Sequence, residues 1–340
     1  MTTASTPLVR IDGLYKRFPL DRGLLEQLEL DGLRLRRRQK AVNAINGVSM
    51  EIQAGEALCV VGESGCGKST VARVVMGLLS PSAGQIEFAG QSIDGLPRKQ
   101  LAPFRKRMQM IFQNPYSSLN PRMTIRQTLE EPVRFHFPDL TTAEVVERVA
   151  EVMSSVGIDP GWGVRFPHEF SGGQRQRISI ARALTVDPEF IVADEPISAL
   201  DVSIQAQVLN LLMDAREQRG LTYMFITHDL SVVEHFGSRV AVMYLGTLCE
   251  LAPTVSLFST PRHPYTRALL SAIPRLGGAQ QDFIRLKGEV PTPIDLPPGC
   301  VFHNRCPHAD ARCKSEIPRL IDQGDGVQVA CHAIEEGRIE

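Results

Sequence analysis

Residues 62–70 constrain the fold more than any other segment of this 340-residue chain. They fit the pattern G-x-x-x-x-G-K-[ST], in which glycines let backbone N–H groups turn inward onto phosphate oxygens. The apolar run 57–61 before them predicts a buried strand, and residues 71–79 after them predict a helix whose N-terminal end adds partial positive charge. The segment therefore predicts a site for a nucleoside triphosphate.

Five further motifs accompany this loop. Three stand at the ends of strand-like apolar runs: Gln113, the pair Asp194-Glu195, and His228. The other two are Ser171-Gly172-Gly173-Gln174 and a segment that ends in Asp201. Taken in chain order, from Gln113 through 171–174, Asp194-Glu195 and Asp201 to His228, they resemble the Q-loop, signature motif, Walker B strand, D-loop and H-loop of the ATP-binding subunits of ABC transporters, over about residues 8–250.

A narrower resemblance covers nearly the whole chain. Residues 114–122, 263–270 and 297–300 resemble segments of the dipeptide/oligopeptide importer branch. Subunits of that branch also carry a long insert before the P-loop strand, as residues 20–40 would be here. The resemblance implies an ATPase that powers uptake of peptides or a related small solute.

The resemblance also implies how Mg²⁺ and ATP are held. Lys68 contacts the β- and γ-phosphates, and Ser69, Gln113 and Asp194 supply oxygen ligands to Mg²⁺. Phe18 is expected to stack on adenine in preference to Tyr15, although a core position is the alternative for either ring. The expected nucleotide-binding residues are Phe18, Gly62, Glu63, Ser64, Gly65, Cys66, Gly67, Lys68, Ser69, Thr70, Gln113, Ser171, Gly172, Gly173, Gln174, Asp194 and Asp201.

Three residues are candidates for catalysis. Glu195 is the expected general base or water-orienting group, and Gln113 and His228 are expected beside the attacking water. The alternatives are a salt bridge for the glutamate, a polar strand end for the glutamine and a structural role for the histidine. By resemblance, Ser171, Gly172, Gly173 and Gln174 close over the γ-phosphate on another subunit, so that ATP is sandwiched at a dimer interface.

The fold class implied is α/β, a P-loop NTPase of ABC type with a helical subdomain and an N-terminal antiparallel β part. We expect the ATPase domain over residues 1–255, the helical subdomain at about 115–175, and a C-terminal extension over 256–340 that contains a small cysteine-bearing tail. Apolar spacing predicts helices over 141–156 and 204–219, the second ended by Gly220. The basic run 34–40 is interpreted as a solvated loop, with contact to anionic lipid or a membrane subunit as the alternative and a nucleic-acid patch as the least favoured one.

Composition limits the location and the partners. The net charge of −1 gives no general attraction to nucleic acid, and no window approaches the ~18 apolar residues of a membrane-spanning helix. Composition therefore predicts a chain of cytosolic origin that cannot form a pore, and the resemblance implies a peripheral position at the cytoplasmic face of the cell membrane. The partners implied are two transmembrane permease subunits, a second ATPase subunit that is a copy or a paralogue, and an extracytoplasmic solute-binding protein.

Two other functions compete with transport. A soluble ABC ATPase acting on nucleic acid or ribosomes usually carries a coiled-coil insertion or a second cassette, and neither is visible here. A regulatory nucleotide binder without turnover is disfavoured by Glu195 and His228. The cargo is left open among dipeptides, oligopeptides, nickel chelates and other solutes.

Four of the seven cysteines fall in the tail, at Cys300, Cys306, Cys313 and Cys331. Four thiolates suit a [4Fe–4S] cluster, and their wide intervals weaken structural zinc without excluding it. Zinc could recruit His303, His308 and His332, and four unrelated free cysteines are the remaining alternative. We expect any metal centre to be structural, because nothing in the sequence brings the tail near the ATP site.

Overall fold

The computed structural model of the protein describes residues 6–20, 28–31, 34–37, 40–114, 118–273 and 283–339. Two sheets organise them, and short apolar runs of the sequence form the central strands. The segments 114–122 and 34–40 quoted above lie partly outside the described residues.

The larger sheet has eight strands in the order β13-β14-β12-β11-β5-β10-β9-β8. The five strands from β11 to β8 are parallel, and three of them, β5, β10 and β9, are buried at every residue, as expected for a sheet covered on both faces. The bounds are β5 Ala57–Val61, β8 Met108–Ile111, β9 Phe190–Asp194, β10 Thr222–Ile226, β11 Arg239–Tyr244, β12 Thr247–Pro253, β13 Ile321–Asp322 and β14 Gln328–Val329.

The smaller sheet is antiparallel and has the order β4-β1-β6-β7, which confirms the predicted N-terminal β part. Its inner face packs with the helix Lys68–Val75 against one face of the larger sheet. Its strands are β1 Val9–Pro19, β4 Ala41–Ile52, β6 Ala83–Phe88 and β7 Gln91–Ser92. A separate hairpin pairs β2 Leu28–Asp31 with β3 Arg34–Arg37, so the first residues of the basic run form a strand and not the loop expected for them.

Helices cover the other face of the larger sheet. Two of them, Ile125–His136 and Thr142–Ser155, form the helical subdomain with two 3₁₀ turns at Pro160–Val164 and Pro167–Glu169. Capping boxes begin both helices, and the second agrees with the helix predicted over 141–156. The other helices of the described residues are Gly172–Leu184, Val202–Arg219, Leu230–Phe236, Thr254–Ser259, Pro264–Ser271, Ala311–Ser315, His332–Glu335 and Arg98–Arg107, the last of which packs through Leu101 on the same face as the smaller sheet.

The C-terminal extension continues the ATPase sheet. Strand β14 pairs with β12 at Glu250–Val329 and Leu251–Gln328. Phe302, Val329 and Ile334 of the extension belong to the same apolar cluster as the helical subdomain. The tail therefore buries its apolar side chains in the core of the ATPase, and the boundary at residue 255 stays a prediction.

Candidate functional site

The site lies at the carboxyl ends of the parallel strands, where ligands bind in open α/β sheets. The P-loop follows β5, Gln113 follows β8, Glu195 follows β9 and His228 follows β10. Because these strands are neighbours in the sheet, residues far apart in the chain meet at one edge.

The phosphate-binding loop joins β5 to the helix that starts at Lys68. Gly67 has φ 103°, and a Cβ there would lie 2.2 Å from the carbonyl oxygen of Ala44, so only glycine fits. The Lys68 ammonium donates to the carbonyl oxygens of Gly62 at 2.8 Å and Glu63 at 3.0 Å. These bonds fold the lysine back on its own loop.

Ser69 and Asp194 lie together at the position where the sequence predicts Mg²⁺. The Ser69 hydroxyl donates to Asp194 Oδ1 at 2.7 Å. Burial raises the pKa of the Asp194 carboxyl, and the bond from Ser69 opposes that rise. A hydroxyl and a carboxylate are hard oxygen ligands of the kind that Mg²⁺ prefers, so the two residues fit the ion.

The Glu195 carboxylate is held between the two other candidate catalytic residues. Gln113 Nε2 donates to Glu195 Oε2 at 2.9 Å, and His228 Nδ1 lies 3.4 Å from Glu195 Oε1. The backbone of Glu195 has φ 47°, a conformation uncommon for a residue with a side chain. A strained backbone and two polar partners fix this carboxylate in place, as an active-site base requires.

A cavity of about 510 Å³ brings the P-loop and these residues together. Phe18 lines it, whereas Tyr15 lines a different cavity, so the structure puts the expected ring beside the P-loop. Adenine stacking stays a prediction. The cavity is lined by Phe18, Val42, Ala44, Ser64, Gly65, Gly67, Lys68, Ser69, Thr70, Gln113, Glu195, His228 and Pro293.

The signature segment does not line this cavity. The Ser171 side chain caps the helix Gly172–Leu184 by accepting from the N–H of Gln174 at 3.3 Å, and the Ser171 N–H donates to Gln174 Oε1 at 3.0 Å. A Cβ on Gly173 would lie 2.5 Å from a methyl group of Ile204, so this glycine has a packing role as well. Asp201 is exposed and begins the helix Val202–Arg219, also away from the cavity.

The C-terminal extension reaches the P-loop, which overturns the expectation that the tail lies away from the ATP site. Arg305 donates to both carboxylate oxygens of Glu63, at 2.8 and 3.2 Å. The hydroxyl of Tyr265 accepts from the Glu63 N–H at 2.9 Å. Pro293 lines the cavity, and its carbonyl oxygen accepts from the N–H of Asn43 at 2.8 Å. No local sequence signal marks these three residues as part of a nucleotide site.

The four tail cysteines lie near one another. Burial raises the pKa of the Cys300 thiol to about 12, and the nearby thiols of Cys306, Cys313 and Cys331 contribute to this rise. Burial likewise raises the pKa of the Cys306 thiol to about 11. Within the described ranges, no three His, Cys, Asp or Glu side chains are arranged to hold a metal ion, so the iron–sulfur cluster stays a prediction.

Two of the histidines considered for zinc are bonded elsewhere. His303 Nδ1 lies 2.8 Å from the carbonyl oxygen of Cys300. His332 is buried, with Nε2 3.0 Å from the carbonyl oxygen of Glu316 and Nδ1 3.4 Å from Glu335. Both ring nitrogens of His332 are engaged, which disfavours it as a metal ligand, whereas the contact of His303 involves Nδ1 alone and is compatible with metal binding through Nε2.

Comparison with known proteins identifies the family. Residues 45–198 match the ABC transporter family model, and residues 249–313 match the model described as oligopeptide/dipeptide transporter, C-terminal region. Among the helices of the described residues, none is long and apolar enough to cross a membrane.

Curated relatives match over most of their length. The probable peptide ABC transporter ATP-binding protein y4tS of Sinorhizobium fredii is 48% identical over 96% of this chain and 90% of its own. The oligopeptide transport ATP-binding protein AppF of Bacillus subtilis is 48% identical over 98% and 99%. The di/tripeptide transport ATP-binding protein DppF of Pseudomonas aeruginosa is 51% identical over 87% and 91%.

Among solved structures, the ATP-binding cassette MJ0796, determined as a dimer bound to ADP and Pi, is similar with a TM-score of 0.62. It is 26% identical and covers 72% of this chain and 98% of its own. Together with the P-loop cavity and the matched C-terminal region, these similarities show that the chain is an ATPase of the ABC transporter family, belonging to its dipeptide/oligopeptide ATP-binding subunits.

Proposed function

We propose that this chain hydrolyses Mg·ATP at the interface of two ATPase subunits and thereby powers uptake of peptides through partner membrane subunits. The observation that carries the proposal is the convergence of the P-loop, Gln113, Glu195 and His228 on one cavity. The C-terminal match and the names of the relatives support peptides as the cargo class, and they give no support to a nucleic-acid or ribosome function.

The side chains divide the chemistry between them. Lys68 would leave the carbonyl oxygens of its loop and bind the β- and γ-phosphates. Ser69 and Asp194 would hold Mg²⁺, which supplies charge neutralisation at the phosphates. Glu195 would take a proton from water as the water oxygen bonds to the γ-phosphorus and the bond to the β,γ-bridging oxygen breaks. The products are ADP and phosphate.

A second subunit is needed to complete the site. Within one chain the signature segment 171–174 lies outside the P-loop cavity, and Ser171 is exposed at a helix N-terminus. The related MJ0796 cassette was solved as a dimer. In a homodimer, mixing Lys68→Ala chains with Ser171→Arg chains should restore activity, since one composite site is intact. A mixture as inactive as each variant alone would contradict this arrangement.

A groove beside the Q-loop is proposed to receive a segment of a permease subunit. It encloses about 560 Å³ between the helical subdomain and strand β8. Phe112, which precedes Gln113 in the chain, and Phe135 line it and are 38% and 72% exposed, and neighbouring exposed aromatic side chains often mark a binding surface. Contact there would place the protein at the cytoplasmic face of the membrane. Phe135→Asp should lower transport and leave basal ATP binding unchanged.

The function is tested in proteoliposomes that contain the permease subunits, with the solute-binding protein added outside. Glu195→Gln should keep Mg·ATP affinity and lose about 10²–10⁴-fold in hydrolysis, with loss of peptide uptake. Lys68→Ala should lose affinity for the nucleotide. Wild-type hydrolysis by the Glu195→Gln variant would refute the assigned chemistry, and stimulation by nucleic acid alone would refute transport.

We also propose that Cys300, Cys306, Cys313 and Cys331 bind one metal centre, a [4Fe–4S] cluster with zinc as the alternative. Besides their proximity, nearby backbone N–H groups lower the pKa of three of these thiols against the rise that burial causes, and groups that favour a thiolate also favour a metal-bound one. The pairs are Cys300 with Phe302, Cys306 with His308, and Cys331 with Ala333 and Ile334. A cation would also offset the burial that raises these pKa values.

Anaerobic purification followed by iron, sulfide and zinc analysis tests the metal centre. Cys306→Ser should lower the metal content, while Cys59→Ala, in the core strand β5, should not. Stoichiometric zinc without iron would identify a zinc site. Absence of both metals, with all four tail thiols alkylated in the folded protein, would refute the proposal.

A further inference from the structure

Glu63, the second residue of the P-loop, is held at each of its polar groups. Its N–H donates to the Tyr265 hydroxyl and its carbonyl oxygen accepts from Lys68. Its carboxylate accepts two bonds from Arg305. Two of these three partners come from the C-terminal extension, which lies outside the ATPase motifs named above.

The Arg305–Glu63 pair is well shielded from water. The Arg305 side chain is 9% exposed and that of Glu63 is 27% exposed. Arg305 also lies against the ring of Tyr244, with the guanidinium carbon 5.7 Å from the ring centroid. A planar guanidinium that makes two parallel bonds fixes the direction of a carboxylate as well as its position.

A rigid aromatic group supports both contacts. The rings of Tyr244, Tyr265 and Phe302 meet in pairs, with centroids 4.9 to 5.4 Å apart. All three side chains are buried. Phe302 is three residues before Arg305, so one short loop supplies both a ring of this aromatic group and the guanidinium that binds Glu63 in the P-loop.

The geometry points to Arg305 as a positioning residue for ATP: it holds Glu63 so that the peptide groups at the start of the P-loop stay turned for phosphate binding. P-loop N–H groups bind phosphate only when the loop keeps its shape, and a preformed shape lowers the ordering cost of binding. Tyr265 assists from the backbone side of the same residue. The C-terminal extension is thus part of the nucleotide site.

This inference rests on ATP binding by the chain, and titration with Mg²⁺ and a fluorescent ATP analogue tests it. Arg305→Gln should raise the Kd about three- to thirtyfold, the range expected for a residue coupled to a site through one neighbour. Turnover at saturating ATP should change little, because Gln113, Glu195 and His228 are untouched. Arg305→Lys should give an intermediate Kd, since an ammonium keeps the charge but cannot form the paired bonds.

Two further variants separate positioning from folding. The double variant Glu63→Gln/Arg305→Gln should have a Kd for the ATP analogue no higher than that of the single variant that binds it more weakly, because both changes break the same contact. Arg239→Gln removes another Arg–carboxylate pair, whose partner Glu56 is 6% exposed, far along β5 from the P-loop. It should lower the unfolding midpoint and leave the Kd unchanged.

The inference is overturned if folded Arg305→Gln binds the analogue with the wild-type Kd. If Arg305→Gln does not fold, Arg305→Lys and Glu63→Gln carry the test, and a wild-type Kd in both overturns it. A wild-type chain that binds no Mg·ATP would overturn the inference and the proposed function together.

Discussion

Replacing Phe302 by alanine should destabilise the whole protein, although Phe302 lies only 38 residues from the last residue, Glu340. The side chain is 1% exposed and contacts the rings of Tyr244, Tyr265 and His263. A phenylalanine buries about 200 Å², which at about 25 cal/mol per Å² is worth about 5 kcal/mol. The alanine methyl keeps part of that, so we expect a loss of about 3–5 kcal/mol in unfolding free energy.

Urea unfolding followed by circular dichroism measures this loss. Phe302→Leu should lose less, because it retains most of the apolar volume, and Phe135→Ala, at a ring that is 72% exposed, should change the unfolding free energy by less than about 0.5 kcal/mol. A loss below about 1 kcal/mol for Phe302→Ala would show that the tail is not packed into the ATPase core, and would refute the reasoning.

Two other predictions concern the P-loop and the effect of pH. In Gly67→Ala the new Cβ would clash with the Ala44 carbonyl oxygen at a positive φ, so Mg·ATP binding should weaken at least about tenfold. Gly55→Ala, also at a positive φ but with open space around it, should lower only the stability. Equal Kd values for the two variants would contradict this prediction. Burial lowers the pKa of His263 to about 3, so the unfolded chain takes up a proton there below pH ~6.5 while the folded chain does not, and stability falls as pH drops from 6.5 toward 3. His263→Gln should show a slope smaller by up to about 1.4 kcal/mol per pH unit, and identical slopes would refute a buried neutral histidine.

Much of the ATP site could be predicted because its signals are local. An apolar run followed by Gly, Lys and Ser, or by a carboxylate, predicts a buried strand with a polar edge, and the parallel sheet then brings Lys68, Glu195 and His228 together. Choosing between Phe18 and Tyr15 depends on the register of β1, which shifts at several points against β4 and has no simple sequence pattern.

The contacts of the C-terminal extension could not be predicted in this way. Arg305 and Glu63 are 242 residues apart, and neither belongs to a periodic apolar pattern. A single charge in a tail is most often solvated, so only the packing of Phe302 and the strand pairing of β14 reveal where Arg305 points. The interpretation of the first residues of the basic run as a loop was wrong, although a local signal for the hairpin was present: residues 28–31 alternate apolar and polar side chains and Asp31 precedes a glycine.

The Arg305–Glu63 contact also has a consequence for biosynthesis. A ribosome adds about 5–20 residues per second, so roughly 12–50 s separate the appearance of the P-loop from that of Arg305, which lies 242 residues later. During that interval the nascent chain gains its Walker B carboxylate and then its H-loop, but Glu63 still lacks its guanidinium partner. With Arg305 in its proposed role, full nucleotide affinity arises only after residue 305 has been added, and a chain truncated before Arg305 would bind ATP more weakly than one that includes it.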